Sequence, residues 1–246
     1  MTKQFDLCIV IPCYNEEKRL DKERMFKFLE LQKNVLLCFV NDGSSDNTFE
    51  VLNSIKSMYP RNVEAISTKN NVGKAEAVRT GILHCNTYFK YKKIAYLDAD
   101  LATTLEECYE ISKLVNNETV FAFGSRIKKI DTNIQRKGYR FLIGRVIATF
   151  ISRQLNLGVY DTQCGCKIFK SELSKTIFEE KFISKWLFDV ELFHRIIKIY
   201  GTDKMSMISK EVPLKSWIDY DESKVKMTYF FKLWLDLYSI KKAYRN

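Results

Sequence analysis

The 246-residue sequence is poor in histidine, with only two, and holds just three prolines and nine glycines. Each shortage removes a class of protein. His84 and His194 stand alone, and Cys164-Gly165-Cys166 is the one close cysteine pair, with no second pair at zinc-finger spacing. A structural zinc is therefore not expected. The seven cysteines (8, 13, 38, 85, 108, 164 and 166) are odd in number and scattered through apolar runs, so they read as free thiols in a reducing compartment, packing as small apolar side chains. Few Gly and Pro and no biased tract exclude a repetitive or disordered chain. No apolar run reaches the about 18 to 20 residues of a membrane span. The nearest candidates, YRFLIGRVIATFISRQLNL and TYFFKLWLDLYSIKKAY, are interrupted by Arg145, Arg153, Lys232 and Asp236. The apolar run from Leu7 to Pro12 is too short for a signal peptide and meets acids at once. The expectation is a cytoplasmic protein, soluble or peripheral on the inner face of a membrane.

What is present begins with charge. Forty Lys and Arg against thirty Asp and Glu give a formal charge of +10, which calls for an anionic partner: nucleic acid, phosphorylated metabolite or lipid surface. Basicity alone does not choose among them. The length suits a single α/β domain over 1–246.

Short apolar runs alternate with helical patterns, which predicts β-α-β units and a mainly parallel sheet. Strands are expected at 6–12, 35–41, 63–68, 93–98 and 119–125, and helices near 18–32, 47–58, 73–85 and 104–116. In such sheets ligands bind outside the carboxyl ends of the strands. The polar residues gather there. The first strand leads into Pro12-Cys13-Tyr14-Asn15-Glu16, the second into Asn41-Asp42-Gly43-Ser44-Ser45, the third into Asn70-Asn71-Val72-Gly73-Lys74, and the fourth into Asp98-Ala99-Asp100. Four loops are thus expected to share one crevice. Gly73 before a helix lets backbone N–H groups approach a phosphate, and Lys74 adds a cation there.

Asp98 and Asp100 pose a choice. On a strand they would share one face at roughly 7 Å, a repulsion that a divalent cation relieves, since Mg²⁺ takes one or two carboxylates plus phosphate oxygens. They could equally cap the next helix. Farther on, seven basic residues (126, 128, 129, 136, 137, 140 and 145) face one acid, Asp131, within 126–145, as either a cationic patch or a solvated helix face. An amphipathic helix is expected over 137–156. DTQCGCK (161–167) and WLFDVEL (186–192) follow, and a last amphipathic segment near 228–245 suits either docking on the protein's own core or lying in a membrane interface.

VIPCYNEE, VNDGSSDNT, NNVGKAEAVRTG and DADLAT, followed by GSR (124–126), DTQCGCK, WLFDVEL and EVPLKSW (211–217), resemble the inverting family 2 glycosyltransferases of the GT-A fold, and within them the dolichyl- and polyprenyl-phosphate β-glucosyltransferase branch. The resemblance implies that Pro12, Tyr14, Asn15, Glu16, Asp42 and Gly43 hold the nucleoside, that Gly73 and Lys74 lie near the diphosphate, and that the Asp98-Ala99-Asp100 segment meets it through Mg²⁺ or Mn²⁺. Arg126, Arg136 and Arg140 are the candidates for gripping an acceptor phosphate, a task suited to arginine's planar fork. Asp189, then Asp161, would serve as general base if the acceptor were a sugar hydroxyl; Asp161 and Gln163 could instead organise the sugar pocket. The implied reaction moves a hexose, glucose from UDP-glucose, to a polyprenyl- or dolichyl-phosphate acceptor. Alternatives are a glycan hydroxyl in cell-surface polysaccharide synthesis and GDP-mannose as donor. A dehydrogenase is disfavoured because no GxGxxG follows the first strand. A nucleic-acid partner is not expected, because it leaves the acids at strand ends unexplained.

Overall fold

β1 (Gln4–Cys13) and β2 (Val35–Asn41) are apolar on both faces because both are covered by helices. In this computed structural model, which describes residues 4–135, 138–218 and 229–245, they lie inside a seven-stranded sheet. The other members are β3 (Val63–Ser67), β4 (Lys90–Leu97), β5 (Phe121–Ser125), β7 (Cys166–Lys170) and β8 (Ser209–Pro213), in the order β3-β2-β1-β4-β7-β5-β8. All neighbours pair parallel except β7, which runs antiparallel between β4 and β5. A two-stranded ribbon joins β6 (Asn133–Gln135) to β9 (Ser216–Ile218).

Alternation along β1 sends Cys8 and Val10 to one face and Leu7, Ile9 and Ile11 to the other. The first face is covered by α3 (Lys74–Tyr88), α5 (Gly138–Leu155), α6 (Ser171–Ile177), α7 (Phe188–Tyr200) and α9 (Tyr229–Ala243). The second is covered by α1 (Lys22–Leu31), α2 (Thr48–Met58) and α4 (Leu105–Ser112). The short α8 (Met205–Ile208) leads into β8. Gly81 lets α3 lie directly on the sheet, since a Cβ there would fall 2.4 Å from Val10 Cγ1.

The five expected strands and the helices are found, with shifted ends. The first helix starts at Lys22 rather than 18, because the Asp21 side chain accepts the Arg24 N–H at 3.0 Å and caps it. α4 stops at Ser112 rather than 116, and the Asn116 side chain then accepts the N–H groups of Glu118 and Thr119 at 2.8 and 2.9 Å, forming a turn. α9 docks on the core through Leu233, Leu237 and Ile240. No helix among the described residues is long and apolar enough to cross a membrane. All seven cysteines are buried and free, and burial pushes the Cys164 thiol up to about 12.

The register fixes the functional edge. Cys13 pairs with Asn41 and Asn41 with Ser67, while Val10 pairs with Tyr96, so the loops after β1, β2, β3 and β4 open side by side.

Candidate active site

The loop after β1 is sewn to the loop after β2 by short-range polar contacts. Asn15 adopts a left-handed backbone (φ 52°) that asparagine tolerates. Its N–H donates to Ser44 Oγ at 3.0 Å, and its Oδ1 accepts the Ser45 N–H at 2.9 Å. The Glu16 N–H donates to Thr48 Oγ1 at 2.8 Å, and its carboxylate lies 3.4 Å from Arg19. Asn15 and Glu16, read from sequence as nucleoside contacts, therefore also hold two loops together. Pro12 sits in β1 beyond Val10, the last residue paired with β4, and Tyr14, 38% exposed, presents ring surface at the crevice.

Asp42 ties the second loop to the third. Its Oδ1 accepts the Val72 N–H at 2.8 Å and its Oδ2 the Gly73 N–H at 2.9 Å. Gly43 (φ 61°) permits the contact, because a Cβ there would strike the Asn70 backbone at 2.4 Å. The carboxylate thus shapes the turn into α3, with Gly73 at φ 91° and Lys74 as first residue of the helix. Lys74 reaches across to Asp98, Nζ to Oδ1 at 2.5 Å. Burial opposes the charge on Lys74, but Asp98, Asp189 and Asp100 outweigh it and raise its pKa.

The acidic pair needs one correction. β4 ends at Leu97, so Asp98 and Asp100 do not share a strand face; they lie in a turn closed by Leu101 N–H to Asp98 O at 3.1 Å, with Leu101 at φ 49°. The turn, not the pleat, brings them together. Capping of the next helix is excluded as well, because Thr104 caps α4 by accepting the Glu107 N–H at 3.0 Å. Asp100 instead accepts the Ala102 N–H at 3.1 Å and lies 3.7 Å from Arg19. Burial, then the neighbouring Asp98 charge, raises the Asp100 pKa. Ala99 is buried between them.

Gly165 is the residue that the sequence reading passed over. Its carbonyl accepts the Asp98 N–H at 3.1 Å, and a Cβ on it would fall 2.0 Å from Asp98 Oδ2. The glycine makes room for that carboxylate. Two hard carboxylate oxygen donors in a cradle that only glycine allows fit Mg²⁺ or Mn²⁺. Among the described residues no cluster of three or more His, Cys, Asp or Glu forms a metal site, so the fit is to an ion that completes its shell with ligand oxygens and water.

On the far side, Arg126 follows β5. Its Nε and Nη2 donate to Asp161 Oδ2 and Oδ1 at 2.7 and 2.8 Å, and its backbone N–H donates to Oδ2 at 3.0 Å. Burial weighs against the guanidinium charge, yet Asp161 more than offsets it and the Arg126 pKa is raised. The solvated-face reading of 126–145 does not hold for Arg126, whose side chain is only 15% exposed. Glu211 on β8 braces the same loop, accepting Ser125 Oγ at 2.7 Å and the N–H groups of Tyr160 and Asp161 at 2.9 and 2.8 Å. Gln163 Nε2 and Thr162 Oγ1 are buried without a hydrogen-bond partner among the described residues. Arg136 lies outside the described residues, and Arg140 is on α5.

Asp189 is in the first turn of α7 and buried. Its Oδ1 accepts Lys167 Nζ at 2.5 Å and the Tyr96 hydroxyl. Lys167, fully buried on β7, also donates to Cys164 O at 2.8 Å. Glu191 does not face the crevice: it accepts the N–H groups of Ile183 and Ser184 at 3.0 and 2.9 Å. The turn it holds carries Lys185, whose carbonyl receives the Ala75 N–H at 3.3 Å. The WLFDVEL segment is thereby seated on the start of α3.

The family model described as glycosyl transferase family 2 matches residues 8–178. The chain belongs to that family. This glycosyltransferase is 31% identical to the dolichyl-phosphate beta-glucosyltransferase ALG5D of Trichomonas vaginalis, across 98% of this chain and 75% of that protein. The dolichyl-phosphate beta-glucosyltransferases of Homo sapiens and Saccharomyces cerevisiae are likewise 31% identical, covering 95% and 97% of this chain and 78% and 75% of theirs. Within the family the glycosyltransferase resembles that branch. Glucosyl-3-phosphoglycerate synthase of Mycobacterium tuberculosis, solved with Mn²⁺, UDP-glucose and phosphoglyceric acid, superposes with a TM-score of 0.65 at 13% identity, over 97% of this chain and 80% of that one. The fold is GT-A.

Proposed function

We propose that this glycosyltransferase moves glucose from UDP-glucose to a polyprenyl- or dolichyl-phosphate-type acceptor, with inversion and with Mg²⁺ or Mn²⁺ bound at Asp98 and Asp100. The observation that carries the donor half is the meeting of Lys74, Asp98 and Asp100 at the mouth of four parallel-strand loops. Bound there, the metal would supply Lewis-acid neutralisation of the departing diphosphate. The chain's own residues do the rest. Asp42 holds the turn that aims Gly73 and Lys74 at the phosphates, Tyr14 offers a ring to the nucleoside, and the α3 N-terminus favours anions.

What favours a phosphate acceptor over a sugar hydroxyl is that both candidate bases already hold a cation, Asp161 the Arg126 fork and Asp189 the buried Lys167. A lipid phosphate is largely anionic near neutral pH and needs no base, so positioning and electrostatics carry the displacement. In this reading Asp189 positions the site rather than taking a proton. Arg126, Arg136 and Arg140 are the candidates to bind the acceptor phosphate, and the Gln163 amide, without a partner among the described residues, is free to take an oxygen of sugar or phosphate. Residues 1–126 serve the donor and 127–246 the acceptor.

The lipid reading has a second support. α5 and α9 expose Leu142, Val146, Phe150, Trp234, Leu235 and Tyr238, and between them lies a groove of about 360 Å³ bordered by Phe150, Trp234, Arg153 and Lys241. Apolar side chains flanked by cations suit peripheral contact with an anionic cytoplasmic leaflet.

The deciding assay supplies UDP-glucose, GDP-mannose or TDP-glucose with either a polyprenyl phosphate or an oligosaccharide, with and without EDTA. EDTA-sensitive transfer of glucose from UDP-glucose to the lipid phosphate is expected. Transfer to the oligosaccharide alone would overturn the acceptor, and transfer undiminished by EDTA would overturn the metal.

A further inference from the structure

Each carboxylate of the acidic pair already carries a cation supplied by the chain. Lys74 Nζ sits 2.5 Å from Asp98 Oδ1, and Arg19 Nη2 lies 3.7 Å from Asp100 Oδ2. The two contacts are not alike. Arg19 is at long range and shared with Glu16 at 3.4 Å, whereas Lys74 is in direct contact and only 22% exposed. On its other side Asp98 Oδ2 occupies the space beside Gly165 where a Cβ would fall 2.0 Å away, and the Asp98 N–H donates to Gly165 O. In this arrangement Asp98 offers Oδ1 to the lysine. A metal ion and an ammonium group cannot both occupy Oδ1 at contact distance, since like charges so close repel strongly.

We infer that Lys74 is a resident counter-cation which holds the metal position until a diphosphate draws it away, making metal and nucleotide binding mutually dependent. Lys74 is the first residue of α3 and follows the left-handed Gly73, so a short swing of its side chain carries Nζ from Asp98 to an anion at the helix N-terminus. A metal arriving alone must displace the ammonium with no new partner for it. When a diphosphate is present, the lysine has an oxygen to go to and Asp98 is released. Each ligand then tightens the other by the same factor, as linkage requires. Lys74 is thus a positioning residue for assembly of the site, beyond its proposed contact with phosphate. This inference rests on the proposed metal-dependent reading.

The test is Mn²⁺ binding to the full chain, read by the electron paramagnetic resonance of free Mn²⁺ and by calorimetry, without substrate turnover. In the wild type, UDP is expected to tighten Mn²⁺ by ~10-fold or more. Lys74→Met should bind Mn²⁺ alone ~10-fold tighter than the wild type does, and the gain on adding UDP should be ~10-fold smaller than in the wild type, leaving only what direct coordination of the ion by phosphate supplies. Lys74→Arg keeps the charge and should leave Mn²⁺ alone weakly bound. Circular dichroism and thermal melting confirm that each variant is folded. If Lys74→Met binds Mn²⁺ alone within ~2-fold of wild type while Asp98→Asn abolishes Mn²⁺ binding, the counter-cation role is overturned and the metal reading stands. If Asp98→Asn leaves Mn²⁺ binding intact, the metal reading itself fails and takes this inference with it.

Discussion

Gly165 and Asp98 are in contact across two strands of opposite direction: the glycine precedes β7, the aspartate follows β4, and the space for a Cβ on Gly165 is filled by Asp98 Oδ2 at 2.0 Å. Gly165→Ala should therefore leave the sheet intact and displace the carboxylate. Misplacement by about 1 Å at a reacting centre costs on the order of 100-fold, so transfer should fall by about that factor while the melting temperature changes little. Activity and a thermal melt on one preparation check both halves. A variant that keeps near wild-type turnover would show that Asp98 does not need this position.

Lys167 and Asp189 form a buried pair at 2.5 Å, with the lysine 0% and the aspartate 5% exposed in their side chains. Removing one partner of such a pair costs about 3–5 kcal/mol, mostly for the charge left uncompensated. Lys167→Met should destabilise the protein by that amount in urea unfolding. Adding Asp189→Asn, which removes the stranded charge and retains a hydrogen-bonding partner for Tyr96, should restore a large part of it. Equal losses in the single and double variants would mean that the cost is one of packing.

This pair also explains why half the fold was hard to see from sequence. The parallel strands β1 to β4 and their loops were legible because fully buried parallel strands are continuous apolar runs punctuated by polar ends. β7 was not, because Lys167 is the second residue of CKIFK, and its partner lies 22 positions away on α7. β8 carries Glu211, a charge that braces the 160–161 backbone, and ends in a proline at the sheet edge. At the site, the acidic pair stood out for its chemistry, while the strand-face geometry expected for it gives way to a turn after Leu97. Gly165 was hidden between two cysteines that were weighed only as a zinc pair and set aside. Its meaning appears only once β4 and β7 are side by side.

His194 joins three helices, lying against Gln154 Nε2 on α5 at 3.2 Å and stacking on the Tyr244 ring after α9 with centroids 5.2 Å apart. Burial lowers its pKa to about 4 from an ordinary 6.5. The folded state therefore binds fewer protons than the unfolded state between those values, and stability rises with pH across that window. The contribution is fully present above pH 6.5 and is lost as pH falls toward 4. His194→Gln should flatten the fall in melting temperature between pH 6.5 and 4 while leaving values near pH 7.5 close to wild type. Parallel pH profiles for the two proteins would show that other groups govern the acid limb.

The apolar surface shared by α5 and α9 gives the last expectation. Phe150 and Trp234 meet edge to face with ring centroids 5.0 Å apart, yet they remain 49% and 44% exposed, with Arg153 and Lys241 beside them. Exposed aromatic rings flanked by cations insert at a headgroup boundary and draw on anionic lipid, with each basic side chain worth about 1 kcal/mol near the surface. Co-sedimentation with vesicles rich in phosphatidylglycerol should thus be strong at low salt and weak at high salt, because the charge contribution is screened. Lys241→Glu should weaken it by more than tenfold, since one favourable charge is replaced by one unfavourable, an expected change of about 2 kcal/mol. Trp234→Ala should weaken binding to anionic and neutral vesicles alike, by removing apolar contact rather than charge. Binding unchanged in both variants would rule out this face as a membrane-contacting surface and leave the groove as a feature of helix packing.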